Sequence, residues 1–137
     1  MVITPHVCVG AALGRGRRSL VAAAGLGLAS HYLLDAIPHH DYTLEGVQGA
    51  LKLALDTSLA GAALVLVRAD RAMVCGALAA LVPDVLAVSS RNGFPTPAHD
   101  RLHEATHTEA IPGAVWGWAP QAALAAGLVV ALRRRSS

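Results

Sequence analysis

A chain of 137 residues has room for one domain, residues 1–137, and a net charge of +2 is too small to make a nucleic-acid partner out of a pI near 8.8. Hydrophobic residues make up 54% of it and charged residues 15%, against about 25% in an ordinary soluble domain. With aromatics at 4% and a mean hydropathy of +0.48, a water-soluble aromatic core is not expected.

The first apolar segment, 2–14, opens on Thr4-Pro5, which reads as an N-cap and N1 pair, and has no basic stretch before it of the kind a cleavable signal peptide carries. It is too short to span a bilayer comfortably and is expected to pack as a half-helix. Four longer segments follow, 19–37, 47–67, 72–90 and 111–132, of 19, 21, 19 and 22 residues. At about 1.5 Å per residue they reach roughly 28–33 Å, the thickness of a hydrocarbon core. The expected fold is therefore all-α, a small integral-membrane bundle of four long helices plus a short N-terminal one, with the lipid bilayer as its first partner. A soluble alanine-rich bundle is the alternative, since Lys52, Asp56 and Asp84 interrupt the apolar runs. Gly10/Gly14 and Gly113/Gly117 form Gly-x-x-x-Gly steps that let helices approach closely. Cys8 and Cys75 lie in apolar stretches without Cys-x-x-Cys spacing and read as buried thiols.

The connections alternate in charge. Arg15, Arg17 and Arg18, then Arg68 and Arg71, then Arg133, Arg134 and Arg135 fall on one side if each segment crosses once, and they hold eight of the eleven basic residues. That side is expected to be cytoplasmic. The other side receives 38–46 and 91–110, which with the adjoining helix ends carry all seven histidines and every acid but Asp70, Asp56 counting as mid-membrane.

Chemistry concentrates on the histidine side. His31 and Asp35 are four apart and share a helix face; Pro38 ends that helix and His39, His40 and Asp41 follow. Pro83 can bend its helix so that Asp84 aims inward. His31 and Asp84 each lie about 9 Å below the outer helix ends, at one shared depth. Ionisable groups there are costly unless they pair or bind a cation. His99, His103 and His107 recur every four residues and form one stripe on a helix, while His6 opens the first segment on the same side. The candidate metal ligands are thus His6, His31, Asp35, His39, Asp84, His99, His103 and His107. They exceed one tetrahedral site and imply a divalent metal, zinc being the expected one, as two ions bridged by a carboxylate. Asp56 and Glu104 are the candidate catalytic bases. Each has a plainer reading: His31–Asp35 as a helix-face hydrogen bond, Asp56 as the partner of Lys52, His40 and Glu104 as solvated groups, and Trp116 and Trp118 as packing residues.

Thr4-Pro5-His6-x-x-x-Gly10, Ser30-His31-x-x-x-Asp35-x-x-Pro38-His39, Pro83-Asp84 and His103-x-x-Thr106-His107-Thr108 together resemble the membrane-bound metal-dependent hydrolases of bacteria, the YdjM type, themselves distantly similar to zinc-dependent phospholipase C. The likeness covers roughly residues 3–108. It implies an all-helical fold, a divalent-metal centre and hydrolysis of a phosphoester or lipid-linked substrate, with His6, His31, Asp35, Asp84, His103 and His107 as ligands and His39 and Asp56 next. The chain departs from the family's His-Arg-Gly-x-Thr-His-Ser stretch, being one residue shorter there and lacking the Arg and Gly. The resulting expectation is a multi-pass protein of the cell inner membrane with its metal site toward the extracytoplasmic side. Two other readings are a divalent-metal binder or transporter without hydrolysis, with Asp56 on the ion path, and an assembly role in which the polar groups only join helices.

Overall fold

A computed structural model describes residues 2–106 and 114–134, and over these the chain is entirely helical. The elements are α1 (Ile3–Gly14), α2 (Leu20–Asp35), α3 (Gly46–Leu66), α4 (Arg71–Arg91), α5 (Pro97–Thr106) and α6 (Ala114–Arg134). Local chemistry sets most of the ends. Ser19 accepts from the Ala22 amide to start α2, and Asp70 accepts from Ala72 and Met73 to start α4. The α4 chain turns back after Arg91 through Gly93, whose φ of +88° suits a residue without Cβ. Pro38, which cannot donate a backbone hydrogen bond, follows the end of α2 closely.

Two segments of the expected four, now α3 and α4, are helices long and apolar enough to cross a membrane. The segment 19–37 yields only the 16 residues of α2, about 24 Å of helix. Segment 111–132 yields α6, with Pro120 inside it and two arginines in its last turn. The Gly113/Gly117 step falls outside the described side chains.

α1 is the inner element. Eight of its twelve residues are buried, and it packs against α2, α3, α4 and α6. Its start differs from the sequence expectation: the N-cap is Val2, which has no side chain to cap with, and Thr4 and Pro5 lie inside the first turn. The opening amides are satisfied from α3 instead. Asp56 accepts from Ile3 N at 2.6 Å, from Thr4 N at 2.9 Å and from the Thr4 hydroxyl. Tyr42 donates to the same carboxylate at 3.0 Å. Because Asp56 lies midway along α3, α1 begins at half the depth of the bundle, as a half-helix should.

At the crossing of α1, α2 and α4 the backbones touch. A Cβ on Gly76 would strike the Gly10 carbonyl, and one on Gly10 or Gly27 would strike that of Gly76. Gly76→Ala is therefore expected to force the helices apart at a cost of about 1–3 kcal/mol. Gly25→Ala, with nothing within 4 Å of the new methyl, should be neutral or stabilising. Thermal unfolding of the two variants side by side checks the contrast.

The ends of the bundle differ in chemistry. Arg15 donates to the Leu132 carbonyl at 2.6 Å, and Gly14 packs on Ala72 and Met73, so the three arginine clusters gather at one end. The described histidines gather at the other. Large apolar side chains are exposed around the bundle, and the interior combines an apolar core with a polar cluster: α3 exposes Val47, Leu51, Leu55 and Leu59 and buries Gly49, Asp56, Ala60 and Ala63, while Ile3, Val7, Val67 and Met73 pack together inside.

Candidate metal centre

The last turn of α2 supplies His31 and Asp35, the first turn of α1 His6, the 36–45 connection His39 and α5 His103. These five meet at the Asp35 carboxylate, which is 3% exposed. Its oxygens divide the imidazoles between them. Oδ1 lies 3.4 Å from His6 Nε2 and 3.9 Å from His39 Nε2; Oδ2 lies 3.1 Å from His31 Nε2 and 3.3 Å from His103 Nδ1. One ligand atom each from His6, His31 and Asp35 falls within 4.8 Å of the others, the spacing of a metal-binding group. Two atoms bound to a tetrahedral zinc at about 2.0–2.1 Å stand roughly 3.3 Å apart, so the separations on both sides of Asp35 suit shared ions.

The tautomers agree with that. His31 Nδ1 lies 2.8 Å from the Ala80 carbonyl, in the turn before Pro83, and His39 Nδ1 lies 2.8 Å from the Ile37 carbonyl. A carbonyl only accepts, so each Nδ1 carries a proton and in the neutral ring each Nε2 presents a lone pair. His31 Nε2 faces Asp35 without hydrogen-bond alignment. Lone pair and carboxylate repel unless a proton or a metal ion lies between them. Backbone carbonyls that fix the far nitrogen are the usual supports of metal-binding histidines.

A cavity of about 180 Å³ opens beside the cluster, lined by His6, Asp35 and His103 together with Asp41, Tyr42, Asp84 and Arg91. Asp84 is 9% exposed, and its Oδ2 is buried with no hydrogen-bond partner among the described residues. Asp41 lies 3.2 Å from His39. That carboxylate raises the His39 imidazole above its ordinary range despite burial. Burial works most strongly against ionised Asp41, but His39 and the other positive charge nearby together outweigh it and hold the carboxyl below the usual range.

The remaining candidates stand elsewhere. His99 stacks on His103 with ring centres 5.3 Å apart and shares a 3.1 Å hydrogen bond with the Tyr32 hydroxyl, so it backs the cluster from one turn away. Burial and the neighbouring His103 lower its pKa. His107 lies outside the described residues. Glu104 is exposed on α5 and lines an outer groove together with His99, His103, Arg91 and Asp100. Asp56 is committed to α1, and Lys52 is exposed on α3. His40 is partly buried, and its carbonyl accepts from Trp118 Nε1 at 2.7 Å. Tyr42 and Arg91 were not singled out from the sequence, and Asp41 was noted there beside His39 and His40 but not as a site residue; the run His39-His40-Asp41-Tyr42 was the signal available for Asp41 and Tyr42. Comparison of the chain with family models, with curated proteins and with solved structures returned no match.

Proposed function

We propose that the chain is a multi-pass protein of the cell inner membrane that binds one or two divalent ions, zinc above all, toward its extracytoplasmic side and hydrolyses a phosphoester or lipid-linked substrate. The observation that carries the reading is the division of four imidazoles between the two oxygens of one buried carboxylate. That is the donor arrangement of a carboxylate bridging two ions. The membrane part is supported by the large apolar side chains exposed along α2, α3 and α4 and by three arginine clusters in the sequence that alternate with the histidine-bearing segments. The reaction is supported by the likeness to membrane-bound metal-dependent hydrolases.

A divalent ion in such a site acidifies water and polarises a phosphoryl oxygen. The chain's own residues do the rest. His31 and His39, fixed by their carbonyls, hold ligand geometry, and Asp35 joins the two halves. With Asp56 tied to α1 and Glu104 on an outer face, the proton acceptor is assigned to Asp84, which lines the cavity and has one buried oxygen without a hydrogen-bond partner among the described residues. The same commitment of Asp56 argues against a transport path through it.

Elemental analysis of protein purified in mild detergent tests the reading, together with turnover of a chromogenic phosphodiester. The wild type is expected to retain zinc or a similar ion. Asp84→Asn is expected to keep the metal and lose turnover by about 10²-fold or more, the usual contribution of a positioned acid or base. Wild-type protein without any transition metal would sink the proposal. Protons compete for the imidazole lone pairs, so retention should fall as pH drops, first through His39, whose imidazole is raised above its ordinary range, and metal content after dialysis at falling pH measures it.

A further inference from the structure

We infer that the cleft between α3 and α6 is a binding site for the acyl chain of an anionic, ester-linked lipid, which the head-group end delivers to the partition beside the metal centre. The inference rests on the proposed membrane location and deepens the proposed substrate class.

The cleft has a volume of about 480 Å³. Cys8 of α1 forms part of its floor; Leu59 and Leu66 line the α3 wall, and Ala122, Ala126 and Val130 the α6 wall. α3 and α6 touch little directly, and alanines on α6 leave the width that larger residues would close. A second apolar pocket of about 180 Å³ continues it toward the histidine end, sharing Leu59, Asp56 and Trp118 and adding Lys52 and Tyr42. From Lys52 to Leu66 the two run about 21 Å along α3, enough for the roughly 15 Å of one leaflet's chains.

Three features select the occupant. Lys52, the sole lysine of the chain, stands exposed at the mouth, where a long flexible cation can reach up to an anionic head group. Gln121 lies one turn beyond Trp118 in the wall of the cleft; it is 6% exposed, and its Oε1 is buried with no hydrogen-bond partner among the described residues. A purely hydrocarbon occupant leaves that amide unsatisfied, whereas an ester just below a head group gives its N–H a carbonyl when the amide is turned. Tyr42 lines both this pocket and the metal-side cavity, so its ring is the partition between a lipid in the cleft and the Asp35 cluster.

Native mass spectrometry of the full chain in mild detergent tests this, with dioleoyl phosphatidylglycerol and dioleoyl phosphatidylcholine offered in turn and zinc content read on the same samples. One phosphatidylglycerol per chain should survive release from detergent. Ala122→Phe with Ala126→Phe should lower its occupancy about tenfold or more, a change of about 1.4 kcal/mol. Lys52→Gln, on an exposed position that leaves the fold intact, should abolish the preference for phosphatidylglycerol over phosphatidylcholine, and Gln121→Leu should weaken both lipids. No retained lipid, equal retention by the filled cleft, or a protein dimer that the filled cleft dissociates would overturn the inference, the last by naming a second copy as the occupant. Zinc without lipid would refute the cleft and spare the metal centre; lipid without zinc would do the reverse.

Discussion

Asp35→Asn is expected to empty the metal centre while leaving the helices in place. Asparagine has the shape of aspartate but halves its acceptor capacity and removes the charge, and here both oxygens face imidazole nitrogens at 3.1–3.9 Å. In the variant the amide N–H donates to an imidazole lone pair, so the metal-free bundle keeps a satisfied core. Loss of a group that merely supports a ligand weakens metal binding about 10–100-fold, and loss of the bridging ligand itself should exceed that. Titration against a chromophoric zinc chelator measures the affinity, and circular dichroism confirms retained helix. If Asp35 were only the counter-ion of His31 one turn away, the substitution would leave zinc content unchanged.

Asp56→Ala is expected to produce the largest loss of stability of any single truncation in the chain. It leaves the buried Ile3 and Thr4 amides and the Tyr42 hydroxyl without their acceptor. Orphaned buried donors cost about 1–3 kcal/mol each, so a loss of about 3–5 kcal/mol and a fall in Tm of about 10 °C or more should follow. Asp56→Asn keeps one carbonyl oxygen for the α1 amides and should lose less. Thermal unfolding in detergent reads both. Zinc content of folded Asp56→Asn should equal wild type, and a loss of metal there with unchanged Tm would move Asp56 back into the centre.

These two carboxylates mark what was legible in the sequence and what was not. His31 and Asp35 are four residues apart on one helix, so their shared face was written in the spacing. The same holds for His99 and His103 on α5, and the shortness of the first segment announced a half-helix. Pairings between distant elements carry no such period. Asp56 reaches α1 across more than fifty residues, and nothing near it names Thr4 as its partner. A mid-helix acid four residues from Lys52 reads as an ion pair or a buried functional group, and only packing reveals a cap. The N-terminal signal failed for the same reason: Thr-Pro is a good local start, but an acceptor supplied from α3 lets the helix begin two residues earlier. The hub role of Asp35 likewise depends on α1, α5 and the 36–45 connection converging, which no local pattern encodes.

The borrowed cap has a consequence for biogenesis. On the proposed membrane reading, the leading turn of α1 stays open until Asp56, more than fifty residues further along the chain, has been made. Until then α1 is better off at the interface than in hydrocarbon, where open amides are penalised. On that reading α1 is expected to dock against α3 only after α3 has been made. Since His6 rides on α1, the proposed ligand set of His6, His31 and Asp35 closes only at that step.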